Sequence, residues 1–321
     1  MKKYIAFVGV VGLLAVLGLQ GIKKDSKQLD ENKFPGERGY SVYPIPLKDI
    51  ANINFAGEPV PVHLTDIKER LERELLVNTY WQSNGMLLLK RMNRFFPIIE
   101  PILEKNNIPD DFKYLAVIES GLTNVVSPAG ATGFWQFLKG TGKEYDLQID
   151  DEIDERYHLK KATEAACKYL TNNYGLFESW TLAAAAYNGG HNGLKKYLEQ
   201  QQVGSYYDLL LGEETGRYVF RIIALKYIHQ NQDKFGFRLN PEDFYPSYET
   251  TYLKVDTAVE DFAVFAKDHG INYKILKLLN PWLRKPYLKN GGQKSYYLEI
   301  PSGKKAMLQP HNNKVLTFDE E

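Results

Sequence analysis

Residues 114–122 read YLAVIESGL and join an apolar run to a polar loop. The run from Tyr114 to Ile118 has the composition of a buried helix, yet it leads directly into Glu119, and a Ser-Gly pair ends the segment. An ionised carboxyl group is costly to bury unless a partner neutralises it or its pKa rises. The stretch therefore predicts a short buried helix that presents one glutamate of perturbed pKa at its end.

Helical patterns lie on both sides of this stretch. Residues 65–78 carry apolar side chains at helical spacing, and acidic residues at positions 110 and 111 open the helix that ends at Glu119. Between Glu119 and Gly142 the sequence is rich in Gly, Ser and Pro, which is typical of a loop. Further helices are predicted over residues 86–105, 161–174, 180–187 and 214–230. Residues 65–235 therefore predict one mainly helical domain.

The pattern changes near residue 250. Two segments, TTYLKV at 250–255 and SYYLEIPSG at 295–303, alternate as short strands do, and two short helical patterns lie between them. We predict a small β-α-α-β module over residues 250–303, followed by a polar tail over 304–321. The acidic run between Glu144 and Glu155 is predicted to be a solvated loop.

The N-terminus has the pattern of an exported protein. Two lysines precede an uncharged apolar run over residues 4–22, and two more lysines follow it. The run is just long enough to span a bilayer, so residues 1–22 are predicted to be either a cleaved signal peptide or a retained membrane anchor. Residues 23–64 are charged, contain several prolines and are predicted to be a linker. Either outcome places the body of the protein in the periplasm or cell envelope.

The composition excludes several classes of function. Lys and Arg number 40 and so do Asp and Glu, so the charge balance gives no indication of a nucleic-acid partner. The single cysteine, Cys167, excludes an intrachain disulfide. The six histidines form no pair at i, i+4, so we expect neither a metal site nor a cofactor.

Three separated motifs carry a family resemblance: IESGLTNVVSPAGATGFWQF at 118–137, AAAAYNGG at 183–190 and EETGRYV at 213–219. In this order they resemble the catalytic domain of the family 1 lytic transglycosylases, especially its membrane-bound D type, over about residues 65–235. The resemblance implies a mainly α, lysozyme-like fold, as in goose-type lysozymes and SLT domains. Residues 250–303 resemble a degenerate LysM module that follows this domain.

The resemblance also implies a reaction. Enzymes of this family cleave the β-1,4 bond between N-acetylmuramic acid and N-acetylglucosamine in peptidoglycan and leave a 1,6-anhydro-muramic acid end. They use one carboxyl group as both acid and base, and Glu119 matches that position. Most glycosidases need two carboxylates. Here the N-acetyl group of the substrate can stabilise the charge at C1, so we nominate no second one.

The remaining motif positions are assigned through the resemblance, one by one. Candidate substrate-binding residues are Ser127, Gln136, Tyr187, Asn188 and Tyr218. Ser127 also fits an ordinary turn before Pro128, and Trp135 fits the core better than a sugar site. Gly133 is expected where backbones approach closely. Glu214 and Arg217 are expected to form a structural ion pair.

Two alternatives share these residues. A lysozyme-like muramidase would use the same fold to hydrolyse the bond, and a non-catalytic peptidoglycan-binding protein would keep the fold without the reaction. The LysM-like module lacks the usual opening signature, with VDTAVED in its place, so glycan binding and a packing role both remain open. The expected partners are peptidoglycan strands and, if the N-terminal segment is retained, the envelope membrane.

Overall fold

The structure is a computed structural model that describes residues 52–302. The predicted export segment, most of the predicted linker and the predicted tail at 304–321 lie outside the described residues. Within residues 52–302 no helix combines the length and the apolar content that a bilayer span requires.

The described chain is mainly helical and ends in a small two-stranded module, as predicted. A short hairpin of β1 (Asn54–Phe55) and β2 (Glu58–Pro59) comes first. The helical domain follows with α1 (Thr65–Tyr80), α2 (Gln82–Lys105), α3 (Lys113–Ser120), α4 (Lys139–Glu144), α5 (Leu159–Phe177), α6 (Trp180–Gly189), α7 (His191–Gln201) and α8 (Glu213–Gln230). The module contains β3 (Thr250–Val255), α9 (Phe262–Asp268), α10 (Tyr273–Leu279) and β4 (Tyr296–Pro301).

Helix α8 lies at the centre of the helical domain. Its buried residues surround the helix axis, and α1, α3 and α6 pack against it. Such all-round burial is expected of a helix in the middle of a core. The four alanines of α6, residues 183–186, are fully buried, and their small side chains let α5 and α8 approach α6 closely. The buried centre therefore supports the two tyrosines, Tyr187 and Tyr218, that α6 and α8 carry.

Helix α3 ends where the sequence predicts. Gly121 has a φ of 59° and its N–H donates to the carbonyl of Val117 at 2.8 Å, which caps the helix in the left-handed conformation. Residues 113–117 are buried, and burial decreases from Ile118 onward. Glu119 therefore lies in the last turn, where the helix leaves the core.

The hairpin falls within the segment that was predicted to be a linker. Phe55 is fully buried and packs edge-on against Phe112, while Glu58 accepts hydrogen bonds from the N–H groups of Trp180 and Thr181 at the start of α6. Two-residue strands are too short to show any periodicity, so the sequence pattern did not reveal this part of the domain.

Helix α7 was not predicted. Among its residues only Leu194 is buried, and three glycines, at positions 189, 190 and 193, surround its first turn. A helix with one buried side chain gives too weak an apolar stripe to be recognised from sequence.

The module has a core of its own. β3 pairs antiparallel with β4, from Thr250 opposite Pro301 to Val255 opposite Tyr296. Side chains from both strands, both helices and the segment between α10 and β4 form this core: Val255, Phe262, Ala266, Leu276, Trp282, Leu283, Leu288, Tyr296 and Leu298.

The end of the acidic run is not a solvated loop, contrary to the prediction. Asp154 and Glu155 are buried, and Ile153 belongs to the core of the module. The charges are accommodated because Asp154 pairs with Arg156 and Glu155 pairs with Lys161. The run thus connects the helical domain to the module.

Candidate active site

Glu119 lines a cavity of about 260 Å³ beside α3. The hydroxyl group of Tyr218, from the first half of α8, donates a short hydrogen bond to its Oε1. Among the described residues that line this cavity, Glu119 is the only one with a carboxyl group. The two helices thus place one carboxyl, held by one phenol, at an accessible cleft.

The surroundings of Glu119 raise the pKa of its carboxyl group to about 7. Burial is the largest cause, and the charge of Glu214 adds to it, while the Tyr218 hydroxyl and the charge of Arg221 act in the opposite direction. An acid with such a pKa is partly protonated at neutral pH and can both give and take a proton. The apolar approach to Glu119 therefore keeps a proton available on it.

The segment after Glu119 folds back into a tight loop beside α3. The Ser120 hydroxyl donates to the carbonyl of Phe134 at 2.9 Å, which ties the end of α3 to the far side of the loop. Two backbone hydrogen bonds close the loop, from Thr132 N to Phe137 O and from Gly133 N to Val125 O, both at 3.0 Å.

Gly133 makes the close approach that was predicted for it. Its φ is 82°, and a Cβ atom there would lie 2.0 Å from the carbonyl oxygen of Arg156. No side chain fits that gap, so glycine is required for the loop to lie against residues 156–157.

Gln136 and Ser127 hold the shape of this loop. Gln136 has a φ of 48°, and its Nε2 donates to the carbonyls of Gly133 at 2.7 Å and Val125 at 3.1 Å. The Ser127 hydroxyl accepts from the N–H of Ala131 at 3.1 Å. Their predicted contacts with substrate remain predictions.

Tyr187 and Asn188, at the end of α6, reach the loop and α8 respectively. The Tyr187 hydroxyl donates to the carbonyl of Trp135 at 2.7 Å and makes no hydrogen bond with Glu119. Burial and the nearby charge of Glu119 raise the pKa of Tyr187 well above its ordinary value. Asn188 accepts from Thr215 at 2.8 Å and donates to Glu214 at 3.3 Å. Tyr187 thus supports the loop, and Asn188 joins two helix ends.

The expected ion pair between Glu214 and Arg217 is wrong. Arg217 instead binds Glu74, with Nε 2.7 Å from Oε1, and also Glu213 at 3.1 Å. Glu74 is almost fully buried in α1, so the pair stabilises the contact of α1 with α8. Residues three apart on α8 share a face, but the buried Glu74 provides Arg217 with a partner that sequence spacing does not reveal.

Among the residues that line the cavity with Glu119, four with large polar or aromatic side chains were not predicted as site residues: Asn78, Trp81, Asn84 and Arg221. Trp81 lies between α1 and α2 and is 60% exposed. Arg221 donates from Nη2 to the carbonyl of Ile118 at 3.2 Å. One signal was available, since a tryptophan flanked by polar residues at a helix junction is unusual in a core.

A second cavity, of about 640 Å³, lies away from Glu119. Residues 139–153 of the helical domain and 288–296 of the module line it, and it contains none of the predicted site residues. Within residues 52–302 no group of three or more His, Cys, Asp or Glu side chains is placed to hold a metal ion.

The fold and two family models together define a class. Residues 96–209 match the family model described as transglycosylase SLT domain, and residues 251–304 match the soluble lytic transglycosylase C-terminal LysM-like domain. The chain therefore carries an SLT-type domain, as the three motifs predicted, followed by a LysM-like module, as residues 250–303 predicted.

Individual relatives agree with this class. The chain is 27% identical over 205 residues to the membrane-bound lytic murein transglycosylase D of Escherichia coli strain K12. The aligned region covers 62% of this chain and 44% of that relative, and the same figures hold for the protein of that name from E. coli O6:H1 strain CFT073. The match thus spans less than half of the length of these curated relatives.

Proposed function

We propose that this protein is a peptidoglycan lytic transglycosylase, with Glu119 as its single acid and base. The observation that carries the proposal is the environment of Glu119: one carboxyl in its cavity, bonded to Tyr218, with its pKa raised to about 7. The SLT-type domain and the lytic murein transglycosylase D relatives support peptidoglycan as the substrate class.

In the first step the protonated Glu119 donates its proton to the glycosidic oxygen as the bond from C1 to that oxygen breaks. N-acetylglucosamine leaves with a free hydroxyl, and positive charge develops at C1 of N-acetylmuramic acid. The N-acetyl group of that sugar shares the charge, which is why the cavity can do without a second carboxylate.

In the second step the Glu119 carboxylate takes the proton from the C6 hydroxyl of the same muramic sugar. The C6 oxygen bonds to C1 and forms the 1,6-anhydro ring, while Glu119 regains its proton and no water is consumed. A pKa near 7 suits both steps, because the group must be a competent acid first and a competent base afterwards.

Tyr218 orients the carboxyl for both transfers. Its hydroxyl donates to Oε1, which leaves Oε2 to face the glycosidic oxygen and then the C6 hydroxyl. The same bond stabilises the carboxylate between the two steps. Trp81 offers an exposed ring on the cavity wall, on which a sugar face can stack.

The site of action follows from the substrate. Peptidoglycan lies outside the cytoplasmic membrane, so the apolar run at residues 4–22 fits export to the periplasm or cell envelope. Both a cleaved signal peptide and a retained anchor agree with this placement.

Digestion of purified peptidoglycan tests the proposal. Wild-type protein, Glu119→Gln and the control Glu104→Gln, which changes an exposed glutamate of α2, are incubated with the same material, and products are identified by mass spectrometry. We expect anhydro-muropeptides from the wild type and the control and none from Glu119→Gln. Reducing muramic ends would favour the lysozyme-like hydrolase, and uncut glycan from the wild type would favour a binding protein.

A further inference from the structure

The LysM-like module is built onto one segment of the helical domain, residues 152–158, which we call the seam segment. Ile153 is 1% exposed within the module core and forms an antiparallel bridge with Leu283. On either side of it, Asp154 N donates to Trp282 O at 2.9 Å, and Arg284 N donates to Glu152 O at 2.7 Å. The seam segment thus pairs with the module as an additional strand would.

Side chains strengthen this pairing along the seam segment. The His158 ring stacks on the Trp282 ring, with centroids 5.6 Å apart, and the Arg284 guanidinium lies 4.0 Å from the centroid of the Tyr157 ring. Lys289 N also donates to the Glu152 carboxylate at 2.8 Å. A contact with backbone pairing, a shared core residue and ring stacking is a fixed attachment rather than a flexible tether.

The seam segment also contacts the loop between α3 and α4, residues 121–138, which we call the active-site loop. Asp154 binds Arg156 through two bonds, from Nε to Oδ1 at 2.9 Å and from Nη2 to Oδ2 at 2.7 Å. The remaining nitrogen of Arg156, Nη1, donates to the carbonyls of Gly130 at 3.1 Å and Phe137 at 3.2 Å. Since Gly133 lies against the carbonyl of Arg156, this single residue supports the loop at three points.

The loop in turn contacts the groups around Glu119. Phe134 accepts from Ser120, the residue that follows Glu119, and Trp135 accepts from Tyr187. The contacts are therefore continuous from Trp282 in the module, through Asp154 and Arg156, to the loop beside the candidate acid.

From these contacts we infer that the LysM-like module acts as a structural support of the active-site loop and that Arg156 is the positioning residue through which it acts. The catalytic part of this inference rests on the proposed function, whereas the effect on the loop does not. A module that served only to hold glycan would need neither Ile153 in its core nor a buried arginine behind the seam segment.

The geometry of Arg156 sets the expected effect of substitution. Its planar fork satisfies a buried carboxylate and two loop carbonyls at once, of which that of Phe137 is buried. Lysine has the charge but not the fork. When a charged group loses its hydrogen bonds, the equilibrium constant for local opening of the loop should rise about tenfold to hundredfold. Arg156→Lys should therefore loosen the loop while leaving the helices in place.

Hydrogen–deuterium exchange on the full chain tests the inference without depending on activity. The variants are Arg156→Lys, which acts inside the helical domain, Trp282→Ala, which acts from the module, and the control Val264→Ala on the exposed side of α9. We expect the amides of Thr132 and Gly133 to exchange about tenfold faster in the first two and unchanged in the control. Unchanged loop exchange in Trp282→Ala, with the module itself opened, would overturn the inference.

Steady-state digestion adds the catalytic readout. We expect Trp282→Ala and Arg156→Lys each to lower kcat about tenfold with KM nearly unchanged. Because both act through the same contacts, the kcat of the double variant should be no lower than that of the less active single variant. A rise in KM without a fall in kcat in Trp282→Ala would show that the module binds glycan and would overturn the inference. Inactive wild-type protein would refute the proposed function, and the exchange experiment would then decide the inference by itself.

Discussion

At the scale of single residues, the proposed reaction depends on how Glu119 is kept protonated. Burial raises the pKa of its carboxyl group to about 7, while Tyr218 and Arg221 limit the rise. A fully paired glutamate would be a permanent anion, and an isolated buried one would hold its proton too firmly to give it up. The observed balance suits a group that acts as acid and then as base.

The pKa of Glu119 predicts the pH profile of the reaction. The first step needs the protonated carboxyl, so kcat should fall as pH rises through about 7. Tyr218→Phe removes a bond that lowers this pKa, so the basic limb should move to higher pH and kcat should fall about tenfold. Rates measured from pH 5 to 9 on both proteins check this, and an unshifted limb in Tyr218→Phe would contradict it.

Glu119 should also cost stability at high pH. Its pKa in the folded state, about 7, exceeds the unfolded value of about 4.3, so the folded state binds more protons between these values. The stabilisation is present below about pH 4.3 and is lost as pH rises through about 7. Relative to Glu119→Gln, the wild type should therefore lose at most about 3 kcal/mol of unfolding free energy between pH 4.3 and 8. Denaturant unfolding at both pH values measures the difference, with Glu104→Gln as control.

At the scale of the secondary-structure elements, the loop after α3 depends on one close contact. Gly133→Ala would place a Cβ atom 2.0 Å from the Arg156 carbonyl, with a backbone φ of 82°. We expect a loss of more than about 3 kcal/mol of unfolding free energy, since both a clash and backbone strain arise. Gly130→Ala is the matched control, because its φ is 81° and the space around it is open.

Comparison of the two alanine variants separates the cost of the left-handed backbone conformation from the cost of the clash with Arg156. Gly130→Ala should cost only about 1 kcal/mol, the price of the left-handed conformation alone. Thermal unfolding of both variants measures the comparison. Equal losses would mean that the approach of Gly133 to Arg156 contributes nothing, which would also weaken the inferred role of Arg156.

The hairpin is tied to α6 by a cap that comes from far away in the chain. Glu58 accepts from the N–H groups of Trp180 and Thr181 and from the hydroxyl of Ser179, so it satisfies free donors at the start of that helix. Glu58→Ala should lower the unfolding free energy by about 1–3 kcal/mol. Denaturant unfolding checks this against Glu69→Ala on the exposed face of α1, which should change little.

At the scale of the whole molecule, the sequence predicted the features that depend on neighbouring residues, such as single helices and strands. The apolar run before Glu119 predicted both the buried helix and the perturbed carboxyl, and the alternation at 250–255 predicted a strand. The contacts it missed join distant residues: Glu58 reaches a helix 123 residues away, and Ile153 enters a core built from residues beyond 250. No periodicity reports such contacts, because they are set by the packing of complete elements.

The acidic run shows why charge alone misled the prediction. Seven acids between residues 144 and 155 suggested a solvated loop, yet Ile153 enters the module core and Arg156 neutralises the buried Asp154. One sign of this burial in the run is the apolar Ile153, and its partner in the module, Leu283, lies more than a hundred residues later in the chain. The two parts of the chain therefore pack against each other, which separate sequence patterns did not indicate.

The reaction proposed for Glu119 is one in which no water takes part. The most direct measurement is digestion of purified peptidoglycan in water enriched in heavy oxygen, followed by mass spectrometry of the new muramic ends. We expect anhydro ends without any heavy oxygen from the wild type, and no new ends from Glu119→Gln. Muramic ends that carry one heavy oxygen at C1 would show that water had attacked C1 and would refute a lytic transglycosylase reaction.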